Sequence, residues 1–82
     1  MQPSVSQQRS QPPISGDQAL RIAETDAMAA YGNLSDYRII LALEQDGWHV
    51  DYELKNPHAL GGGPHYLIDP TSGTILWKKY EQ

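Results

Sequence analysis

The chain has 82 residues and no cysteine, which predicts one small domain without disulfides, thiolate nucleophiles or cysteine-zinc sites. Its formal net charge of −4 argues against a nucleic-acid-binding protein, because phosphate contacts need clustered lysine and arginine. No apolar run approaches the length of a membrane span.

The first segment, residues 1–13, is MQPSVSQQRSQPP, a mixture of glutamine, serine and proline with one valine. Burial of a single valine cannot offset the conformational entropy that the segment would lose on folding. We therefore predict a disordered tail at 1–13 and a single domain at 14–82. The segment lacks the apolar stretch of a signal peptide. Its composition is typical of the spacer behind a removed signal or a lipid-anchored residue. In that case we expect the periplasm or cell envelope, and otherwise the cytoplasm.

A helix is predicted over residues 16–31. Ser15 is the expected N-cap with Gln18 three residues later, a capping-box spacing, and Gly32 supplies the left-handed stop. Asp17 in the first turn suits the helix dipole. One face is apolar at helical spacing, formed by Ala19, Leu20, Ala23, Ala27, Ala30 and Tyr31. The small alanines predict a close approach to a sheet.

Two strands follow, in DYRIILALEQ and WHVDYELK. The first places Tyr37, Ile39, Leu41 and Leu43 on one face. The second alternates with inward Trp48, Val50, Tyr52 and Leu54 and outward His49, Asp51 and Glu53. Asp46-Gly47 between the strands predicts a two-residue hairpin turn of type I′.

A second hairpin is predicted after a nine-residue loop at 56–64. Its strands are HYLID and TILWKKY, and its turn places Pro70 at a preset φ and Gly73 at a left-handed one. The element order therefore predicts an α+β fold, with one N-terminal helix packed on a four-stranded antiparallel sheet in two layers.

The consecutive glycines Gly61, Gly62 and Gly63 do not fit a phosphate loop. Phosphate loops lie between a strand and a helix N-terminus, whereas these glycines lead into Pro64 and a strand without a nearby lysine. A connection between hairpins is the simpler interpretation, and long connections often carry binding contacts.

An enzyme is the less favoured hypothesis. His49 and Asp51, with His58 or His65, are the residues that a metal-dependent hydrolase would use, but alternating polar residues are typical of any solvated sheet face. No serine lies in a nucleophile-elbow motif. We therefore predict no catalytic residues, no metal site and no cofactor.

A protein-binding surface is the favoured hypothesis. The aromatic residues exceed what so small a core hides, and exposed tryptophan and tyrosine near charge are typical of binding surfaces. The predicted partner-binding residues are His58, Gly61, Gly62, Gly63, His65, Tyr66 and Trp77.

The helix sequence ISGDQALRIAETDAMAAYG resembles the opening of small bacterial PepSY-type domains, and GWHVDYEL followed by GGGPHYLIDPTSGTIL resembles their sheet. The same order, with glycines just before the hairpin, is similar to the short immunity proteins called NTF2-fold immunity domains. That resemblance implies a protein that binds and neutralises a bacterial toxin. The PepSY resemblance implies an inhibitory or regulatory module near peptidases or in the cell envelope. Neither brings catalytic residues.

Overall fold

The computed structural model describes residues 12–81. One helix, α1 (Gly16–Tyr31), precedes four strands: β1 (Tyr37–Glu44), β2 (Gly47–Leu54), β3 (Pro64–Ile68) and β4 (Ile75–Tyr80). The strands form one sheet in sequential order, each antiparallel to the next. α1 packs on one face of this sheet, so the predicted two-layer α+β fold is confirmed. Most of the predicted tail, residues 1–11, lies outside the described part.

α1 has the predicted bounds, and its caps explain them. The Ser15 hydroxyl accepts a hydrogen bond from the Gln18 backbone N–H, and the Gln18 side chain accepts one from the Ser15 N–H. These reciprocal bonds satisfy helix N–H groups that have no partner within the helix. At the other end Gly32 has a φ of 81°, which stops the helix. The buried face of α1 is formed by Ala19, Ala23 and Ala27.

The two faces of the sheet differ in what covers them. On the face toward α1, Val50, Tyr52, Tyr66 and Ile68 are buried and form the centre of the core. Small alanines on the helix let its backbone come close to these larger side chains. We call the opposite face the open face, because no element of residues 12–81 packs on it.

The hairpin turns show one agreement and one difference. Gly73 has the expected positive φ of 81°, and the Asp69 carboxylate accepts backbone hydrogen bonds within that turn. In the first hairpin the two-residue loop is Gln45-Asp46, one residue earlier than predicted, because Glu44 pairs with Gly47. Neither loop residue has a positive φ, so the turn is not type I′. Gly47, with a φ of 137°, carries the irregular backbone instead.

Candidate functional site

The open face carries a mixed polar and apolar surface. Its residues follow from the strand register, in which Asp51 pairs with Ile40 and His65, and His49 pairs with Ala42 and Leu67. β4 adds Trp77 opposite Leu67, with 53 % of its surface exposed. Because tryptophan is enriched among residues that carry binding energy at interfaces, Trp77 is a candidate contact residue.

His65 joins the open face to the end of the chain. Its Nδ1 lies 2.6 Å from an Asp51 carboxylate oxygen, and its Nε2 lies 3.1 Å from a Glu81 carboxylate oxygen. Burial alone lowers the pKa of His65, but the hydrogen bonds to both carboxylates outweigh it and hold that pKa above its ordinary value. A protonated imidazole satisfies both contacts at once, since both ring nitrogens then donate.

The loop between β2 and β3 occupies residues 55–63. Its first residue is held by the Lys55 N–H, which donates to the Asp36 carbonyl, and its second half is tied to β1 and to the end of the chain. The Tyr37 hydroxyl donates to the Gly62 carbonyl, and the Glu81 N–H donates to the Gly63 carbonyl. Gly63 is also tightly packed, because a Cβ there would lie 2.7 Å from the Tyr52 carbonyl oxygen. The absence of a side chain at Gly63 is therefore a packing requirement, which explains this glycine without a phosphate ligand.

Beside this loop lies a shallow cleft of about 450 Å³, which we call the tyrosine cleft. Three tyrosines from three elements line it, namely Tyr31, Tyr37 and Tyr80. Tyr31 contacts both of the others edge to face, with ring centroids 6.0 Å and 5.8 Å apart. Leu60 at the loop side of the cleft is 96 % exposed. The cleft therefore has aromatic walls that pack edge to face and one almost fully exposed aliphatic side chain at its edge.

A second recess, of about 290 Å³, lies against the same loop on the side of His65. It is lined by polar groups, including Glu53, Asn56 and Glu81, together with the loop glycines. The loop thus separates an aromatic cleft from a polar recess. Both belong to one continuous surface at the end of the sheet where β2 ends and β3 begins.

Several of the predicted binding residues meet at this surface. Gly61 and Gly62 line both depressions, and His65 lines the polar recess. His58 is exposed on the loop, where its backbone N–H bonds to the Asn56 side chain. Trp77 lies apart from the loop, in the next cross-strand row of the open face beyond His65 and Lys79.

Tyr66, which was predicted to bind the partner, does not lie on this surface. Its ring faces α1 and is only 1 % exposed, so it belongs to the core and does not form part of the surface. The register explains this, because Tyr66 pairs with the buried Val50 and therefore shares its face. Tyr52 is buried in the same way, and its hydroxyl has no hydrogen-bond partner within the described residues.

A polar cluster around Asp26 ties α1 to the sheet. The Asp26 carboxylate accepts hydrogen bonds from the Tyr66 hydroxyl at 2.9 Å, the Tyr80 hydroxyl at 2.5 Å and the Lys78 ammonium at 2.9 Å. The hydrogen bond from Tyr80 is the largest effect on the pKa of Asp26 and lowers it. Partial burial raises this pKa, but the net result is a lowered value. Burial, followed by the bond to Asp26, raises the pKa of Tyr66. These shifts keep the carboxylate ionised and the phenol neutral, which suits a structural clamp.

The residues considered for a metal site separate into different places. His65 and Asp51 contact each other, whereas His49 bonds to the Asp46 carboxylate at 2.7 Å near the first hairpin turn. Glu44, Asp46 and His49 are the one group in residues 12–81 whose ligand atoms all lie within 4.8 Å of one another. The group is largely exposed, and the hydrogen bond that His49 donates to the Asp46 carboxylate raises the pKa of His49, which favours an ion pair.

Sequence reasoning missed Leu60 and the three tyrosines of the cleft as a set. They are separated by up to 49 positions along the chain, so only the fold brings them together. The sequence contains one weak indication that Leu60 is exposed. It directly precedes three glycines, so it belongs to no helical or strand pattern that would bury it.

Comparison with known proteins gives no relative. No family model, no curated protein and no solved structure matches this chain. The helix in the described range is not long and apolar enough to cross a membrane.

Proposed function

We propose that this chain is a non-enzymatic protein-binding module that inhibits or neutralises a protein partner. The partner is a bacterial toxin in the immunity form of this hypothesis and a peptidase or sensor in the regulatory form. The contact surface is the 55–63 loop with the tyrosine cleft and the adjoining open face.

The exposure of Leu60 beside the tyrosine cleft is the observation on which this proposal rests. At 96 % exposure Leu60 makes almost no contact with its own chain, so it adds nothing to the stability of the folded domain. Burying a leucine side chain in an interface is favourable by about 1.5–3 kcal/mol. An exposed aliphatic group beside aromatic walls that are already in place is typical of the apolar centre of a protein interface.

The charge around this surface favours a basic partner. The chain has ten acidic side chains and six basic ones, which give a formal net charge of −4 with neutral histidines, and Glu53 and Glu81 line the recess beside the loop. Such an excess attracts a positively charged patch and accelerates association at low salt. The association rate constant with the partner is therefore expected to fall as salt is added.

The test compares two leucines of similar chemistry. The immobilised wild-type chain captures its partner from native cell extract, and quantitative mass spectrometry then compares Leu60→Ser with the control Leu76→Ser. Leu76 is also exposed but lies on β4, away from the loop. Leu60→Ser is expected to weaken binding about 10- to 100-fold, whereas Leu76→Ser leaves it unchanged. Equal retention by both variants would contradict the proposed surface.

The nature of the captured protein separates the two forms of the hypothesis. If it is a toxin, co-expression of the wild-type chain restores growth and the Leu60→Ser chain does not. If it is a peptidase, the purified chain inhibits it in a stoichiometric titration. If the chain instead catalyses a chemical change in a captured molecule, the protein is an enzyme and the proposal is wrong.

A further inference from the structure

The two edges of the sheet are protected unequally. β4 carries Lys78 and Lys79, and its pairing with β3 is irregular at Leu67/Ile68; both features discourage further strand pairing. β1 has neither feature. Its pairing with β2 is continuous over its whole length, and residues 39–43 form an uninterrupted apolar run. An edge strand that is long, regular and apolar is a template for another strand.

The side chains of β1 are exposed on both faces of the sheet. Ile39 and Leu43 are 47 % and 45 % exposed on the face toward α1, and Ile40 is 43 % exposed on the open face. Within residues 12–81 the sheet ends at β1, so no described strand occupies its outer edge.

The hydrogen-bond alternation shows which backbone groups remain free. The Lys55 N–H donates to the Asp36 carbonyl at 2.8 Å, so this pair at the base of the hairpin is a hydrogen-bonded one. Hydrogen-bonded pairs alternate along an antiparallel ladder. Residues 38, 40, 42 and 44 therefore bond to β2. Ile39, Leu41 and Leu43 direct their N–H and C=O groups to the free edge.

We propose that two copies of this chain associate through β1, antiparallel and centred on Leu41, to form one continuous eight-stranded sheet. Leu41 then lies opposite Leu41 of the second copy, and Ile39 lies opposite Leu43 of the second copy. The outward groups of these residues supply about six hydrogen bonds between the copies. Ile40 faces Ala42 of the second copy on the open face, so apolar residues meet on both sides.

Charge complementarity selects this register. Arg38 and Glu44 lie the same distance from Leu41 on opposite sides, and both point to the open face. Centring on Leu41 therefore places Arg38 opposite Glu44 of the second copy at both ends of the interface. Centring on Ile40 instead would place Arg38 opposite Ala42 and lose both pairs. Arg38 already lies 3.2 Å from Glu53 on β2, so it would bridge carboxylates of the two copies.

The association leaves the 55–63 loop outside the paired strands, and of the cleft residues only Tyr37 belongs to β1. The two-fold axis runs perpendicular to the sheet, so both α1 helices lie on one side and both open faces on the other. The 55–63 loop does not belong to β1. The tests keep the two proposals apart, because the variants at residues 38 and 44 change neither Leu60 nor a tyrosine of the cleft. Self-association can therefore fail without partner binding, and the reverse.

Charge reversal tests the register by sedimentation equilibrium of the full chain. Arg38→Glu places like charges opposite each other and is expected to raise the dimer dissociation constant about tenfold, and Glu44→Arg does the same. The double variant restores opposite pairs and wild-type association. In the double variant the repulsion between residue 38 and Glu53 of the same chain remains. A return to wild-type association therefore reports the contact between the two copies. A wild-type chain that stays monomeric up to about 1 mM, or a double variant weaker than both single ones, overturns the proposal.

Single cysteines provide a second readout, since the chain has none of its own. Leu41→Cys places two sulfurs across the axis, where the paired Cα atoms are about 5.5 Å apart and within disulfide range. The control Ile39→Cys leaves its two sulfurs about 14 Å apart along the strands. Oxidation is expected to crosslink Leu41→Cys only. Equal crosslinking of both variants, or of the Ile39→Cys variant alone, contradicts this register.

Discussion

Replacing Asp26 by alanine removes the carboxylate that joins α1 to the sheet. The Tyr66 hydroxyl, buried with its ring, then loses its acceptor, and a buried hydroxyl without a partner costs about 1–3 kcal/mol. Tyr80 is partly exposed and its hydroxyl can bond to water instead. The exposed Lys78 contributes little, because ion pairs at the surface are screened. The expected loss of unfolding free energy is about 2–3 kcal/mol.

A loss of this size lowers the melting temperature by about 10–20 °C in so small a domain. The measurement is thermal unfolding followed by tryptophan fluorescence, with a double-mutant cycle of Asp26→Ala and Tyr66→Phe. Each single variant breaks the same hydrogen bond, so the cycle is expected to give a coupling free energy of about 1–2 kcal/mol. Because the pKa of Asp26 is lowered in the fold, its contribution is present above its ordinary pKa and fades as the pH falls through the folded value.

Glu24→Ala is the matched control on the same helix. Glu24 is exposed, so its loss is expected to change the unfolding free energy by less than about 0.5 kcal/mol. Asp26 is not a clamp between α1 and the sheet if Asp26→Ala unfolds at the same temperature as this control. Strict additivity of Asp26→Ala and Tyr66→Phe would exclude this clamp as well.

Three further predictions concern the region around the loop. The hydrogen bonds to Asp51 and Glu81 raise the pKa of His65 in the fold. The contact therefore stabilises the fold fully below about pH 6.5, and this stabilisation is lost as the pH rises through the folded pKa. In His65→Gln the urea midpoint is expected to lose this fall with rising pH. Gly63→Ala forces a Cβ to within 2.7 Å of the Tyr52 carbonyl oxygen and is expected to destabilise by about 1–3 kcal/mol in urea titration, and an unchanged midpoint would exclude this steric argument. Tyr52→Phe removes a buried hydroxyl without a partner, so calorimetry is expected to show an unchanged or higher melting temperature, and a large drop would reveal a partner for that hydroxyl.

The elements were predictable from sequence because local signals decide them. Ser15, Gln18 and Gly32 mark the ends of α1 chemically, and strict alternation in β2 assigns its two faces without knowledge of the other strands. The first hairpin turn was misplaced by one residue for an equally local reason. Asp46-Gly47 suits a type I′ turn, but the same glycine also suits the position just after a two-residue loop.

The surface was less predictable because it depends on strand pairing. The alternation in β3 separates Tyr66 from His65, but only the register with β2 shows which of them faces α1. The cleft around Leu60 depends on the ends of α1, β1 and β4 meeting beside the loop. The apolar run in β1 was visible, yet a run of this kind does not indicate whether its strand lies at the centre or at the edge of a sheet.

The five tyrosines explain how a domain without phenylalanine joins its core to its surface. Their rings contact edge to face in one continuous series, in the order Tyr80, Tyr31, Tyr37, Tyr52 and Tyr66. The two ends of the series meet again at the Asp26 carboxylate, which accepts both terminal hydroxyls. The walls of the tyrosine cleft are thus continuous with the buried core. Asp26→Ala is therefore expected to release one wall of the cleft and weaken partner binding even at temperatures where the domain stays folded.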